Sequence, residues 1–440
     1  MASGLHGKIL KLGIPILIGQ LGTIVVGFAD TAMVGRYSTE SLASASFVNN
    51  LFNLILFAAL GFSYGITPLA GALYGRGEKG QIGSLLRNAL FINLLFGLFL
   101  SGVMVTVFFN VHHMGQPEHL LPLIRPYFLI YLAGVIPVVI FNVFSQWSYA
   151  INRTRMPMWI ILGCNILNIA GNYALIEGHW GFPQMGLNGA GISTLLSRSV
   201  SAIAIVSIFC LKKEYSRYRH GFIASKTDSG QMATIGRTSW PVSLQMALES
   251  GSFSFAGVMA GWFGDVELAS FQVIVILGTL GFCIYYSMGA SVSVLVSNAC
   301  GVGDRKLMRR TAFAGYRIIL ALATLSSLLF IFAGSYILPL FTSDPRVIAV
   351  ALSLIVPLVL YQYADATQIN FANALRGTSN VIPMIWISLV SYAVIGVPAT
   401  YILAVTCGLE VYGIILSFSV SLLTAATLFL HYFLRTTAKS

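Results

Sequence analysis

The chain has 440 residues, 57% of them hydrophobic and only 9% charged. A soluble domain is roughly 45–50% apolar and about 25% charged, so a water-soluble globule is excluded and lipid must cover most of the outside. The net charge of +11 comes with no aromatic-interleaved basic patch, which argues against a nucleic-acid binder and for Lys and Arg held on the cytoplasmic side of a membrane.

In chain order, apolar stretches occupy 9–35, 42–74, 82–111, 120–151, 157–176, 187–211, 238–263, 268–300, 311–341, 347–375, 381–407 and 411–434. Each reaches the ~20 residues that a spanning helix needs. The first follows Lys8 and Lys11 with no small-residue cleavage pattern close behind, so it reads as an uncleaved helix. Five cysteines (Cys164, Cys210, Cys283, Cys300, Cys407) form no C-x-x-C pair and read as small buried hydrophobes. The fold class expected is an all-α integral membrane protein with twelve transmembrane helices. Charge orients it: of 25 Lys and Arg, 21, from Lys8 to Lys439 and including Arg376, fall on one side. Arg36, Arg125 and Arg346 fall on the other, and Arg198 lies inside a span. That bias places the N- and C-termini in the cytoplasm.

The sequence also repeats itself. Pro15 and Pro241, Leu42-Ala43-Ser44 and Leu268-Ala269-Ser270, and Gly75-x-Gly77-Glu78-Lys79 and Gly301-x-Gly303-Asp304-Arg305 are each 226 residues apart. The offset divides the chain into six-helix bundles at 1–211 and 232–440, joined by a polar linker at 212–231. Six spans per half is even, so the repeat is parallel, about an axis along the membrane normal, with substrate expected between the bundles. Pro15 and Pro241 would loosen their helices and are candidate hinges.

Of the fourteen acids, only Asp30, Glu249 and Asp365 lie at membrane depth. There a charge costs at least ~2.5–3.5 kcal/mol and marks an ion or substrate path. They are not repeated: at the 226 offset Asp30 faces Ala256 and Glu249 faces Thr23. Helical spacing puts Tyr361 and Gln368 on the face of Asp365, and Gln245 and Phe253 on that of Glu249. A carboxyl in a poorly hydrated space can exchange a proton near neutral pH. Alternatively, Glu249 and Asp365 can hold a Na+, which favours oxygen ligands. Acid and aromatic walls suit an amphiphilic organic cation. Arg198, the only base at this depth, can pair with Asp30, reach a carbonyl or snorkel. Gly75-x-Gly77-x-x-Gly80 follows a span rather than a strand and reads as a turn. His112, His113 and His119 share an outer loop and read as solvated rather than as a metal site. No P-loop and no catalytic constellation occur, so a non-enzymatic transporter driven by an ion gradient is expected, with no cofactor beyond the transported Na+ or H+.

Phe28-Ala29-Asp30-Thr31-Ala32-Met33-Val34-Gly35, Pro241 through Glu249, Tyr361-Gln362-x-x-Asp365, Ala374-Leu375-Arg376-Gly377, and Asn168 with Asn172 together resemble the multidrug and toxic compound extrusion (MATE) transporters, in their NorM-like bacterial branch. The match covers nearly the whole chain. The resemblance implies two six-helix lobes around a central cavity. It implies export of cationic amphiphilic drugs in exchange for Na+ or H+ by alternating access, from a multi-pass protein of the bacterial inner (plasma) membrane. It places the N-lobe aspartate linked to protonation and drug release on Asp30. It places the C-lobe cation site on Glu249 and Asp365 with Tyr361 nearby, a pair that leans toward Na+. Supporting residues are then Phe253, Gln245, Gln272, Gln368, Asn168 and Asn172. The partners expected are drugs and membrane lipids, not nucleic acid, and the protein is expected to be a monomer. The alternative is a lipid-linked saccharide flippase on a related two-bundle fold. An anionic carrier calls for several buried bases, whereas the sequence offers Arg198 against three acids.

Overall fold

The computed structural model describes residues 2–114 and 117–438; Lys439, counted above with the inner bases, lies outside them. Among the described residues the chain is helical without strands. In order the helices are α1 (Ala2–Tyr37), α2 (Thr39–Ser63), α3 (Ile66–Gly75), α4 (Lys79–Phe109), α5 (Leu121–Ala133), α6 (Val135–Ala150), α7 (Arg155–Ile176), α8 (Gly186–Leu211), α9 (Ser216–Ala224), α10 (Ser229–Ala260), α11 (Asp265–Gly301) and α12 (Arg305–Ile337). Then come α13 (Pro345–Ser353), α14 (Ile355–Gly377), α15 (Ile382–Ser388), α16 (Val397–Tyr401) and α17 (Glu410–Thr436), with wide π turns at Leu389–Gly396 and Ile402–Thr406 on either side of α16. Ten helical stretches among the described residues are long and apolar enough to cross a membrane, and α13 with α14, bent by 50°, makes an eleventh.

Proline sets the breaks. Pro68, Pro137 and Pro357 each stand third in the helix after an interruption, at α2/α3, α5/α6 and α13/α14. Lacking an N–H, and with a ring that clashes against the carbonyl four residues back, each proline forbids a straight continuation. The repeat is visible in the turns. Gly77 (φ 78°) and Gly303 (φ 72°) take the left-handed conformation that glycine adopts without strain. Their turns close through corresponding bonds, Gly77 N to Tyr74 O and Glu78 N to Leu73 O, against Gly303 N to Cys300 O and Asp304 N to Ala299 O.

Two compact units form, one of residues 18–243 and one of residues 1–17 with 244–440. Both boundaries, 226 residues apart, fall two residues beyond Pro15 and Pro241, inside the continuous helices α1 and α10. The division drawn from sequence lay in 212–231 instead. That segment, expected as a linker, is a docked element: Tyr215 and Tyr218 pack edge-on to the buried Trp147, with ring centroids 5.2 and 5.7 Å away. Arg87 of α4 donates to the carbonyls of Phe222, Ile223 and Ser225 at its end. Asn88 donates to Gln231 at 2.6 Å. Arg153 and Glu214 form an ion pair. The cysteine expectation holds for Cys164 and Cys283, which are buried, but Cys210 and Cys407 are exposed near helix ends.

Candidate functional site

In the unit of residues 18–243, Asp30 projects from α1 and Asn172 from α7. The Asn172 amide donates to the Asp30 carboxylate and also lies 3.4 Å from the Asn168 amide oxygen. Asn168 in turn donates to Thr194 of α8 at 3.3 Å, and its carbonyl accepts from Ser193 at 2.7 Å. Asn168 and Asn172 are four apart, so one face of α7 presents both, and both are buried. The structure thus joins three of the residues named from sequence into one polar line.

Arg198 corrects one option. No ion pair within 4 Å joins it to Asp30 among the described residues. It donates to the Tyr131 hydroxyl at 2.7 Å and lies over that ring, 4.2 Å from the centroid. The α5/α6 break makes room for it: a Cβ on Gly134 would stand 3.1 Å from the Arg198 guanidinium.

In the second unit, α10, α11, α14, the π turn at Leu389–Gly396 and α17 supply the polar interior. Glu249 of α10 accepts from the Gln245 amide at 3.1 Å, one turn earlier on the same helix. Its carboxylate also meets the Tyr392 hydroxyl, and Tyr392 accepts from Gln368 of α14 at 3.1 Å. Asp365 is 1% exposed and lies within range of the Glu249 charge. Asp365 Oδ2 and the buried amide oxygens of Gln245 and Gln368, the side chains that donate to Glu249 and Tyr392, have no hydrogen-bond partner, and Gln362 of α14 leaves both its Oε1 and Nε2 unpartnered. Phe253, Tyr361 and Phe418 form an aromatic trio with centroids 4.5 to 6.2 Å apart. Glycines of α11 allow the crowding: a Cβ on Gly278 would lie 3.0 Å from the Tyr361 ring, and one on Gly281 would collide with the Gln362 amide. Gln272, named with this group, stands exposed on α11.

Sequence reasoning missed two members and did not foresee the burial of a third. Tyr392 sits where a π turn breaks the 3.6-residue period, so no spacing marks it. Val397 N–H bonds to Tyr392 O, five residues back, and Pro398 supplies no donor to restore the α-helical register. Phe418 is one apolar residue among many on α17. Arg376, assigned from sequence to the inner side at a helix end, stands in the last turn of α14 and is buried there, where it donates to Asn373 at 3.2 Å and to Tyr286 at 3.5 Å. The only local hint was its Ala-Leu-Arg-Gly setting at a helix end. Among the described residues Arg376 is thus the buried base, while Arg198 is half-buried.

Two carboxylates and several unpartnered amide oxygens form a set of hard donors that can coordinate Na+ or share a proton. A buried polar atom left without a partner costs about 1–3 kcal/mol, so a group of them asks for a ligand. Among the described residues no three His, Cys, Asp or Glu side chains stand together as a metal site, and the histidine loop does not gather into one.

Comparison with known proteins follows the same architecture. The MatE family model matches residues 15–174 and 241–402, two segments that begin at the two prolines of the repeat. A multidrug resistance protein, PmpM, of Pseudomonas aeruginosa is 32% identical over 410 residues, spanning 91% of this chain and 84% of that one. A probable multidrug resistance protein, NorM, of Photorhabdus laumondii is 29% identical over 405 residues, spanning 91% and 88%. The solved structure of a MOP superfamily transporter from Pyrococcus furiosus superimposes with a TM-score of 0.90 over 99% of this chain and 97% of that one, at 18% identity.

Proposed function

We propose, from the premise that the chain belongs to the MatE family, that it is a secondary active multidrug exporter of the bacterial inner membrane, working as a monomer. It exchanges cationic amphiphilic compounds for Na+ or H+ by alternating access. The observation that carries this reading is the buried Asp365 with the half-buried Glu249, beside unpartnered amide oxygens, in a chain with no nucleotide-binding loop. The oxygen-rich surroundings favour Na+ at that pair. Asp30, held by Asn172, is the second titratable group, suited to protonation linked to drug release.

In this reading α10 is the twelfth crossing and both termini are cytoplasmic. At 32 residues α10 is long enough, at about 48 Å. Its Thr, Ser, Gln and Glu residues make it less apolar than its neighbours, as suits a helix that lines a polar path. Pro15 and Pro241 are the hinges, because the chain changes unit two residues beyond each. The flippase alternative fits less well. Even with Arg376 added, two bases, the half-buried Arg198 and the buried Arg376, stand against three acids, and Arg376 is held by Asn373 and Tyr286.

Efflux of a fluorescent organic cation from proteoliposomes, under an imposed Na+ gradient and then an imposed pH gradient, tests the reading. Acceleration by one of the two is expected. Efflux indifferent to both would remove ion-coupled export.

A further inference from the structure

The two repeats start one of their spans alike, α4 after the Gly77 turn and α12 after the Gly303 turn. On α4 the line of Gly80, Ser84 and Arg87 is partly engaged by its own unit, with Gly80 exposed and Ser84 and Arg87 half-buried. Gly221 of α9 packs against Gly80, Ser84 donates to Gln231 at 3.3 Å, and Arg87 donates to the carbonyls that end α9. At the 226 offset these positions on α12 are Lys306, Arg310 and Phe313, and one turn on, Arg317 stands where α4 has Phe91. All four α12 residues are exposed. Spaced 4, 3 and 4 apart, they form a single line along the helix.

The bases of α12 are sorted by face. Arg305 donates to the Ala438 carbonyl at 2.6 Å, and Arg309 donates to Thr437 and the Leu434 carbonyl at 2.9 Å, both at the end of α17. Lys306, Arg310 and Arg317 make no such bond, and the ion pairs among the described residues lie elsewhere. Beyond Arg317 the same line continues as exposed Leu328 and Ile331, a surface that water would not tolerate in a span and lipid would. Arg317 lies twelve residues into the helix, about 18 Å from its start. An outward-facing arginine at that depth must reach back along the helix to a polar partner.

We propose that this face of α12 docks anionic phospholipid headgroups. Lys306, Arg310 and Arg317 take phosphate oxygens, the guanidinium groups bidentately, and Phe313 lies against the acyl chains. Continuity of the basic line with an apolar one selects a lipid over a soluble phosphate.

The test uses the full chain in nanodiscs of phosphatidylcholine with trace spin-labelled phosphatidylglycerol or spin-labelled phosphatidylcholine. The wild type should retain the anionic probe in preference to the neutral one. The triple variant Lys306→Gln, Arg310→Gln, Arg317→Gln should lose that preference by roughly fivefold for each base removed. A second triple, Lys212→Gln, Lys213→Gln, Arg217→Gln, removes equal charge beside α9 and should keep most of it. Arg310→Lys with Arg317→Lys, which keeps the charge, should keep more of the preference than the glutamine triple, falling short of the wild type by what the bidentate contacts add, and guards against misfolding. Equal loss in both glutamine triples would reduce the effect to general surface charge and overturn the site, as would no loss in the α12 triple. Displacement of the probe by inorganic phosphate would overturn the assignment to lipid.

Discussion

Asp365→Asn is the sharpest test of the coupling site. The side chain is 1% exposed, and asparagine has nearly its volume, so no cavity forms. The new amide brings two donors, and the unpartnered Oε1 atoms of Gln245 and Gln368 are acceptors of the same cluster. Folding should therefore survive, with stability changed by no more than about 1 kcal/mol, the net worth of one hydrogen bond. Transport should not survive. One cation moving through ~100 mV supplies about 2.3 kcal/mol, and a tenfold ion gradient adds about 1.4 kcal/mol. For a drug of charge +1 exchanged one-for-one the potential acts on both ions and cancels, so the ion gradient alone sustains a drug concentration ratio of about tenfold. Without a carboxylate able to bind and release the ion, the accumulation ratio should fall to about one, while downhill leak and membrane insertion stay unchanged. The assay is uptake of a fluorescent cation into inverted proteoliposomes under an imposed Na+ or pH gradient, with thermal unfolding measured in parallel. A variant that is fully folded and still builds the wild-type gradient would refute the assignment of ion coupling to this pair.

Further expectations follow from the same contacts. Tyr392→Phe removes only the hydroxyl that joins Glu249 to Gln368. The coupling-ion concentration for half-maximal efflux should rise roughly twofold to tenfold, with drug dependence unchanged, and an ion titration showing the wild-type midpoint would count against it. Asn172→Ala strips Asp30 of its amide donor. Efflux should slow by about tenfold or more, since hydrogen bonds to charged groups are worth about 1.5–3 kcal/mol, while expression and insertion remain normal; initial rates in vesicles decide it. Trp147→Ala empties the centre of the cluster that seats Tyr215, Tyr218 and Phe209. It should destabilise the protein by about 3–5 kcal/mol, read as a lowered unfolding midpoint in detergent, and protease should cut earliest in 212–231.

Most of the apolar spans, their repeat and three acids set within apolar runs were legible in the sequence because each depends on local content. Twenty apolar residues in a row, a shared offset and a charge inside a hydrophobic run can be counted without knowing any contact. The breaks at Pro68, Pro137 and Pro357 rest on equally local chemistry, a missing N–H acting within one turn, but only the structure drew them. What the sequence could not supply is anything that needs two distant segments to meet. Arg198 had three open partners until α5 brought Tyr131 over it. Tyr392 joins Glu249 only because a π turn shifts its register. The stretch 212–231 is polar in composition, yet packs because Trp147 offers its aromatic residues a buried face. Arg376 is buried by neighbours rather than by its own surroundings in the chain. Hydropathy is a property of a segment, so it decided where the chain crosses lipid; hydrogen bonding and close packing are properties of pairs, so only the tertiary structure decided which side chains share a site.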